Sequence, residues 1–322
     1  MILNKIGQVL KSYDDFAIVS HVSPDGDSIG SMLGLYNTLI ESGKKVDVFV
    51  EKNLPEKYSF LPGYKNIKTE CNKQSRYSCL IILDCADILR LGELKDLINN
   101  CDISINIDHH ISNSLNCNIN YVDSNASSTG EIIYQILKLN GYNINYDTAM
   151  CLYTSILTDT GGFKYTNTTS ITFSIVGDLI NTGIKFSDIY SKIYDERTMY
   201  QIKLLGKVLP TLEVHFNNKV ALLTLSNEML KECNANENDA EDFVNYARNI
   251  DTVEVGIFIK QIDDLKCRVS LRSKNYIDVS QIASKFNGGG HIKAAGCTIE
   301  GNINEVKNKV LNAIKESLEV IK

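Results

Sequence analysis

No apolar run in this 322-residue chain approaches the ~18 residues that a membrane-spanning helix needs, and Met1 to Gly7 lack the layout of a signal peptide. Those two absences predict a cytoplasmic protein with no membrane partner. Cys-x-x-Cys is missing as well: the nine cysteines, at positions 71, 79, 85, 101, 117, 151, 233, 267 and 297, are odd in number and widely dispersed. That spacing argues against a disulfide framework or a zinc–thiolate site and leaves reduced thiols acting as small hydrophobes. Internal repeats and low-complexity segments are absent too, and nothing in the pattern suggests disorder.

What is present is ordinary for a globular protein, with 43% apolar and 22% charged residues. The length favours two domains over one core. A net charge of −6 works against binding long nucleic acid, which requires many phosphates to be neutralised. The charge is uneven, however. Lys266 to Lys293 carries six basic residues against one acidic, a local +5 that leaves −11 for the rest. A basic patch on an acidic body suits a small phosphorylated ligand better than a long duplex.

About the first 190 residues alternate β-rich runs with helical patterns, which predicts an α/β domain built on a mainly parallel sheet. The expected strands are Phe16–Val22, Lys45–Val50, Ser78–Asp84, Ser104–Asp108 and Asn118–Val122. Ser28–Ser42 reads as a helix, with Ile29, Leu33, Tyr36 and Ile40 on one face. Ser128 and Glu131 have the spacing of a capping box opening a helix through Leu139. A further helix over Asp147–Leu157 delivers Asp159. Phe186 to Val208, short of Gly and Pro, reads as a stiff connecting helix. The expected organisation is therefore a catalytic domain over 1–185, a connecting helix over 186–208, and a smaller α/β domain over 209–322. In the latter, His215–Leu225 and Thr252–Leu271 read as antiparallel strands and Asn304–Val320 as an amphipathic closing helix.

The chemistry gathers where strands run out. His21, Asp25 and Asp27 follow the apolar stretch from Phe16 to Ser20; Asp84 follows Cys79 to Leu83; Asp108, His109 and His110 follow Ile103 to Ile107. In an open α/β sheet, residues just past the carboxyl ends of parallel strands converge on one crevice. His and Asp side chains together suit a divalent cation. Pro24 and Gly26 force a tight turn, and Asp27 and Ser28 fall at a helix start, where amides and the helix dipole favour a phosphate oxygen. Each residue also has a plainer reading. Asp25-Gly26 is a common turn, Asp27 or Ser28 a helix cap, Asp84 an N-cap, and Asp159 a turn residue in Thr158 to Gly162. Adjacent His109 and His110 behind a buried strand are harder to dismiss. Four of the five histidines occur in the motifs singled out, and the fifth, His215, reads as structural.

Taken together, His21 to Ser31, Asp84 to Asp87, Asp108-His109-His110 and Thr158 to Gly161 resemble the four motifs, in order, of the DHH phosphoesterase superfamily. The resemblance implies two manganese ions, with Mg2+ or Co2+ as substitutes. Asp84 would bridge them, His21 and Asp25 would hold one ion, and Asp27, His109 and Asp159 the other. Such a pair clamps the attacking and leaving oxygens of an in-line displacement. His110 would then contact the phosphate or protonate the leaving oxygen, with Asp108 either orienting a histidine or bonding the backbone. Arg90 either approaches a phosphate or is an ordinary surface residue.

Beyond the connecting helix, alternation places Cys267, Val269 and Leu271 on one strand face and Arg268, Ser270 and Arg272 on the other. Val279, Ile282, Ala283 and Phe286 mark a short helix capped by Asp278, which ends in Asn287, Gly288, Gly289, Gly290 and His291. One glycine suffices for a C-cap, so three suggest a backbone that passes close to something, with amides, His291 and Lys293 around an anion. Ser270–Ser273 and Gly288–Gly296 resemble the substrate-binding signature of the DHHA1 domain. That likeness implies substrate contacts from Ser270, Arg272, Gly288, Gly289, Gly290 and His291.

The two domains in this order are similar to the NrnA-type branch of the superfamily. The branch implies hydrolysis of short single-stranded oligoribonucleotides and dinucleotides to mononucleotides with exonuclease character, and dephosphorylation of 3′-phosphoadenosine 5′-phosphate (PAP) to AMP. It leaves room for a homodimer. The alternative within the same fold is a cyclic or linear dinucleotide phosphodiesterase, and outside enzymes a nucleotide sensor that keeps only the fold. Loss of metal ligands would mark such a sensor, yet all six candidates are present.

Overall fold

The computed structural model describes residues 2–51, 54–72, 75–240 and 242–319. Val320, where the last helix was expected to end, and the domain limits Met1 and Lys322 lie outside the described residues. The chain forms two compact units, Met1–Glu196 and Arg197–Lys322.

In the first unit, α1 (Ile2–Ser12), β1 (Asp15–Val19), α2 (Gly26–Glu41), β2 (Lys45–Phe49), β3 (Ile67–Lys68), β4 (Tyr77–Leu83), β5 (Cys101–Asp108) and β6 (Ile119–Val122) come first. Helices α3 (Thr129–Leu139), α4 (Tyr146–Asp159), α5 (Ser170–Ile180) and α6 (Phe186–Tyr190) follow. The six strands make one fully parallel sheet in the order β3-β2-β1-β4-β5-β6. Parallel strands are stable when both faces are covered, and β4 illustrates this. Cys79, Ile81 and Leu83 join the core built with the helices, while Tyr77, Leu80 and Ile82 pack with Leu91, Leu94 and Leu97 on the opposite face. The order places the carboxyl ends of β1, β4 and β5 side by side, with the reversal of strand order between β1 and β4. That reversal opens the crevice where ligands bind in such sheets.

Strand β1 stops at Val19 rather than Val22 because the chain turns to a new partner: Val22 N donates to Arg90 O at 2.8 Å. Helix α2 packs directly on α4, and a Cβ at Gly30 would meet Cys151 O at 2.6 Å and Ser155 Cβ at 2.7 Å. Only glycine permits that approach, which brings the start of α2 to the end of α4. The capping box expected at α3 is half formed. Ser128 Oγ accepts from Glu131 N at 3.1 Å, but the Glu131 carboxylate takes hydrogen bonds from Ser127 Oγ (2.6 Å) and Thr172 Oγ1 (2.9 Å) instead of returning to the cap.

The single connecting helix expected over 186–208 is in fact two helical pieces. After α6 and a π turn over Ser191–Asp195, the backbone extends at Glu196 (ψ 129°), and α7 (Met199–Val208) starts afresh. Thr198 and Gln201 form a reciprocal capping box there, at 3.1 and 2.9 Å, which satisfies the first amides of a new helix and so defines a break.

The second unit continues with β7 (Glu213–His215), β8 (Val220–Leu225), α8 (Asn227–Glu232), α9 (Val244–Arg248), β9 (Val255–Asp263), β10 (Lys266–Ser273), α10 (Val279–Ser284), β11 (Gly289–His291), β12 (Ala294–Glu300) and α11 (Ile303–Glu319). Its sheet runs β11-β12-β10-β9-β8-β7. Each of the two runs read as antiparallel strands holds more than one strand. Phe216, Asn217 and Asn218, all at positive φ, break His215–Leu225, and the turn after Asp263 breaks Thr252–Leu271. The sheet is also mixed rather than antiparallel, since β8 and β9 pair in parallel across the helical connection between them. Val306, Val310 and Ile314 of α11 are buried against this sheet's core.

Candidate functional site

His21 lies just past β1 and Asp27 in the first turn of α2, Asp84 directly follows β4, and Asp108 ends β5 with His109 and His110 directly after it, while Asp159 closes α4. The structure brings these groups together. His21, Asp25 and Asp84 place donor atoms within 4.8 Å of one another, as do Asp27, His109 and Asp159. His109 Nε2 lies 3.6 Å from Asp27 Oδ2, 3.5 Å from Asp159 Oδ2 and 3.7 Å from Asp84 Oδ1, so Asp84 stands between the two groups. It adopts φ 54°, a left-handed conformation that aspartate tolerates better than bulkier residues.

Local chemistry fixes each side chain. Asp25 Oδ1 caps α2 by accepting from Asp27 N and Ser28 N, both at 3.1 Å. Asp25 is thus a helix cap and a member of the cluster at once. Asp27 is buried and accepts from Thr129 N (2.8 Å), Gly130 N (3.1 Å) and Ser155 Oγ, so the starts of α2 and α3 and the body of α4 meet at one carboxylate. Ser28 Oγ lies 2.8 Å from His21 Nε2. Asp108 Oδ1 accepts from His109 N at 2.8 Å and His110 N at 3.2 Å and faces His110 Nδ1 at 2.7 Å, so it bonds the backbone and meets a histidine ring at once. Arg90 is exposed, close enough to disfavour the charged form of His21.

The electrostatics are those of a cation site. Burial, reinforced by neighbouring carboxylates, pushes the Asp84 and Asp159 carboxyls well above their usual range; burial also raises Asp27, against the pull of His109. Burial lowers His21 to about 4, overcoming the attraction of Asp25, with Arg90 and His110 acting in the same direction as burial. Asp108 is the exception. Burial opposes its charge, but hydrogen bonding and attraction from His110, with help from Asn113, outweigh burial and hold it below the usual carboxylate range. Neutral imidazole and closely packed carboxylates form the donor set a divalent cation completes, since its charge would hold all three carboxylates ionised.

In the second unit, Arg268, Ser270 and Arg272 alternate with buried Cys267, Val269 and Leu271, as expected. They line a cavity of about 310 Å³ with Lys260, Phe258, Gly289 and Gly296 among its other walls. Of the six residues expected to touch substrate, Ser270, Arg272 and Gly289 line this cavity, and Gly288, Gly290 and His291 lie outside its lining. The glycine run has a split purpose. A Cβ at Gly288 would meet Gly296 O at 2.3 Å, Gly290 has φ +140°, and Gly289 faces open space. Two of the three glycines therefore serve the β11–β12 hairpin. Lys293 Nζ donates to Asn275 O, and His291 is exposed on β11. His215 lies 3.2 Å from Glu213 Oε2 in β7, an ordinary polar contact.

Residues without charge escaped the sequence reading: the Thr129 and Gly130 amides, Ser155 and Asn113. No catalytic motif marked them, although the Ser128–Glu131 capping-box spacing enclosed Thr129 and Gly130 at the start of α3. Lys260 was hidden because its place in the cavity depends on pairing with Arg268 across β9 and β10.

Residues 15–156 match the DHH family, N-terminal domain, and residues 217–319 the DHHA1 domain. The bifunctional oligoribonuclease and PAP phosphatase NrnA of Thermus thermophilus is 31% identical over 315 residues, covering 97% of this chain and 93% of that protein. The protein of the same name from Bacillus subtilis is 28% identical, with 91% of each chain covered. Among solved structures, an exopolyphosphatase-related protein from Bacteroides fragilis superposes with a TM-score of 0.90 at 30% identity, covering 98% of this chain and 95% of the other.

Proposed function

Because this chain belongs to the DHH family of phosphoesterases, with a DHHA1 domain behind the DHH domain, we propose that it hydrolyses short oligoribonucleotides to mononucleotides and converts PAP to AMP. The observation that carries this reading is the pair of donor groups that meet at Asp84. In it, His21 and Asp25 would hold one divalent cation, Asp27, His109 and Asp159 would hold a second, and Asp84 would serve both. Manganese is the proposed ion, and the pair supplies Lewis acidity at the attacking and leaving oxygens of an in-line displacement.

The chain's own groups do the rest. Asp108 fixes the proton of His110 on Nδ1, which makes Nε2 the nitrogen that exchanges a proton with the leaving oxygen. Thr129, Gly130 and Ser155 hold Asp27 in place by three hydrogen bonds, so the carboxylate need not reorganise when a cation arrives. The basic cavity, with Arg272, Arg268 and Lys260, takes the phosphate that is not being cleaved. Guanidinium groups suit that task because their planar donors match phosphate oxygens. A net charge of −11 outside the basic stretch from Lys266 to Lys293 favours short ligands over a long duplex.

The test is a parallel assay with manganese on a ribodinucleotide, PAP, a cyclic dinucleotide and pyrophosphate, with products separated by ion exchange. Mononucleotides from the dinucleotide and AMP from PAP support the reading. Faster cleavage of pyrophosphate or of the cyclic dinucleotide overturns it, and stoichiometric dinucleotide binding without turnover identifies a sensor.

A further inference from the structure

Asn113 lies three residues beyond His110, in the loop after β5, and belongs to none of the motifs above. Its side-chain amide is fully engaged. Nδ2 donates to Asp108 Oδ2 at 2.6 Å and to Cys85 O at 3.0 Å, while Oδ1 accepts from Asn106 Nδ2 at 3.0 Å and from Leu115 N at 3.1 Å. A primary amide offers two donor protons and two acceptor positions, and these four partners use them all. The orientation is chemically forced. A carboxylate and a carbonyl only accept, and a backbone N–H only donates.

The partners matter as much as the count. Cys85 directly follows Asp84, so the amide ties the end of β4 to the loop after β5. Asp108 is fully buried, and its other oxygen faces His110 Nδ1 at 2.7 Å and accepts from His109 N at 2.8 Å. Asn106, at the far end of the chain of contacts, is fully buried in β5. The line Asn106, Asn113, Asp108, His110 thus runs from the sheet interior to the imidazole beside Asp84, 3.6 Å away.

We propose that Asn113 is a positioning residue for phosphoester hydrolysis: by donating to Asp108 and Cys85 at once, it sets the plane of the Asp108 carboxylate and the separation of Asp84 from His110. The catalytic setting rests on the proposed function. The role depends on donation rather than on shape, and this gives a sharp distinction. An aspartate at 113 has the shape of asparagine but no donor. It would set a carboxylate against the Asp108 carboxylate and an acceptor against Cys85 O. Alanine removes the amide and leaves room for water, which can donate to both.

The experiment compares wild type, Asn113→Ala and Asn113→Asp at saturating manganese, with a ribodinucleotide and with the chromogenic diester bis(p-nitrophenyl) phosphate. Circular dichroism and thermal midpoints verify folding. Positioning predicts kcat lower by ~10–100-fold in Asn113→Ala, the usual loss when the support of a metal-site residue is removed. Asn113→Asp, though isosteric, should be worse than alanine on both substrates, and KM for the dinucleotide should stay within about threefold, since the residue does not bind substrate. A merely space-filling role predicts the reverse order. Asn113→Asp matching or exceeding Asn113→Ala, or Asn113→Ala retaining more than half of wild-type kcat, overturns the proposal. Should Asn113→Asp fail to fold, the kcat and KM of Asn113→Ala decide alone. Wild-type cleavage of the diester without cleavage of the dinucleotide would remove the proposed substrate while the comparison at Asn113 proceeds on the diester.

Discussion

Ser28 Oγ donates a 2.6 Å hydrogen bond to Asp84 Oδ2 across 56 residues of sequence. The bond fixes the first turn of α2 to the end of β4 and holds the shared carboxylate in a buried place where ionisation is costly. Function and stability are therefore opposed at Asp84. The Asp84→Asn variant keeps an acceptor for Ser28 but removes the charge. It should lower kcat by more than about 100-fold, beyond the loss typical of residues that only support ligands. The metal-free variant should meanwhile melt at least as high as wild type at pH 8, and ~2–4 °C higher for each kcal/mol of burial cost relieved. Steady-state kinetics and calorimetry of metal-free protein check the pair. Near-normal turnover would remove Asp84 from the shared position.

The raised carboxyls of Asp27, Asp84 and Asp159 predict a pH signature. In the unfolded chain these groups release their protons near pH ~4. The metal-free native state holds them to higher pH, binds more protons in that window, and loses stability as pH rises through it. His21, lowered to about 4, acts the other way between its folded and unfolded values, one group against three. A cation requires the ionised carboxylates, so the rise in melting temperature on adding manganese should be larger at pH 8 than at pH 5.5. Equal increments at both values would mean that these carboxyls do not meet the ion.

In the second unit, Arg272 lines the basic cavity, with Arg268 on the same strand face and Lys260 opposite Arg268. Charge-assisted hydrogen bonds are worth ~1.5–3 kcal/mol, so Arg272→Ala should raise KM for a dinucleotide by ~10–100-fold. The kcat should fall less, unless remote phosphate binding also positions the scissile bond. An unchanged KM places the guanidinium outside the substrate path.

The adjacent glycines should differ sharply. Gly288→Ala forces a Cβ against Gly296 O and Cys297, and overpacking of this kind costs ~1–3 kcal/mol. Gly289→Ala meets nothing within 4 Å and should leave the melting temperature within ~2 °C. Thermal melts of the two variants suffice, and equal losses would contradict the division of roles along the run.

Much of this was legible because charge and periodicity write themselves into sequence. The parallel sheet followed from apolar runs bounded by turns, and five of the six His and Asp candidates followed strand ends, where a buried polar residue is expensive enough to be conspicuous, while Asp159 stood at the end of a helix. Supports made of neutral groups were not legible. Backbone amides of Thr129 and Gly130 carry no side-chain signature, and Asn113 looks like any loop asparagine until Cys85 and Asp108 are brought beside it. The break at Glu196 was missed for a local reason. Thr198 and Gln201 spell a capping box, but the surrounding charged helical pattern masked it. The parallel pairing of β8 and β9 depends on topology that periodicity does not encode.

The central claim is that donors from β1, β4, β5 and α4 hold two cations with Asp84 between them. Anomalous diffraction from crystals grown with manganese tests it most directly. The account predicts two peaks flanking the Asp84 carboxylate, one beside His21 and Asp25 and the other beside Asp27, His109 and Asp159. A single peak, or two peaks with Asp84 bound to neither, would contradict it.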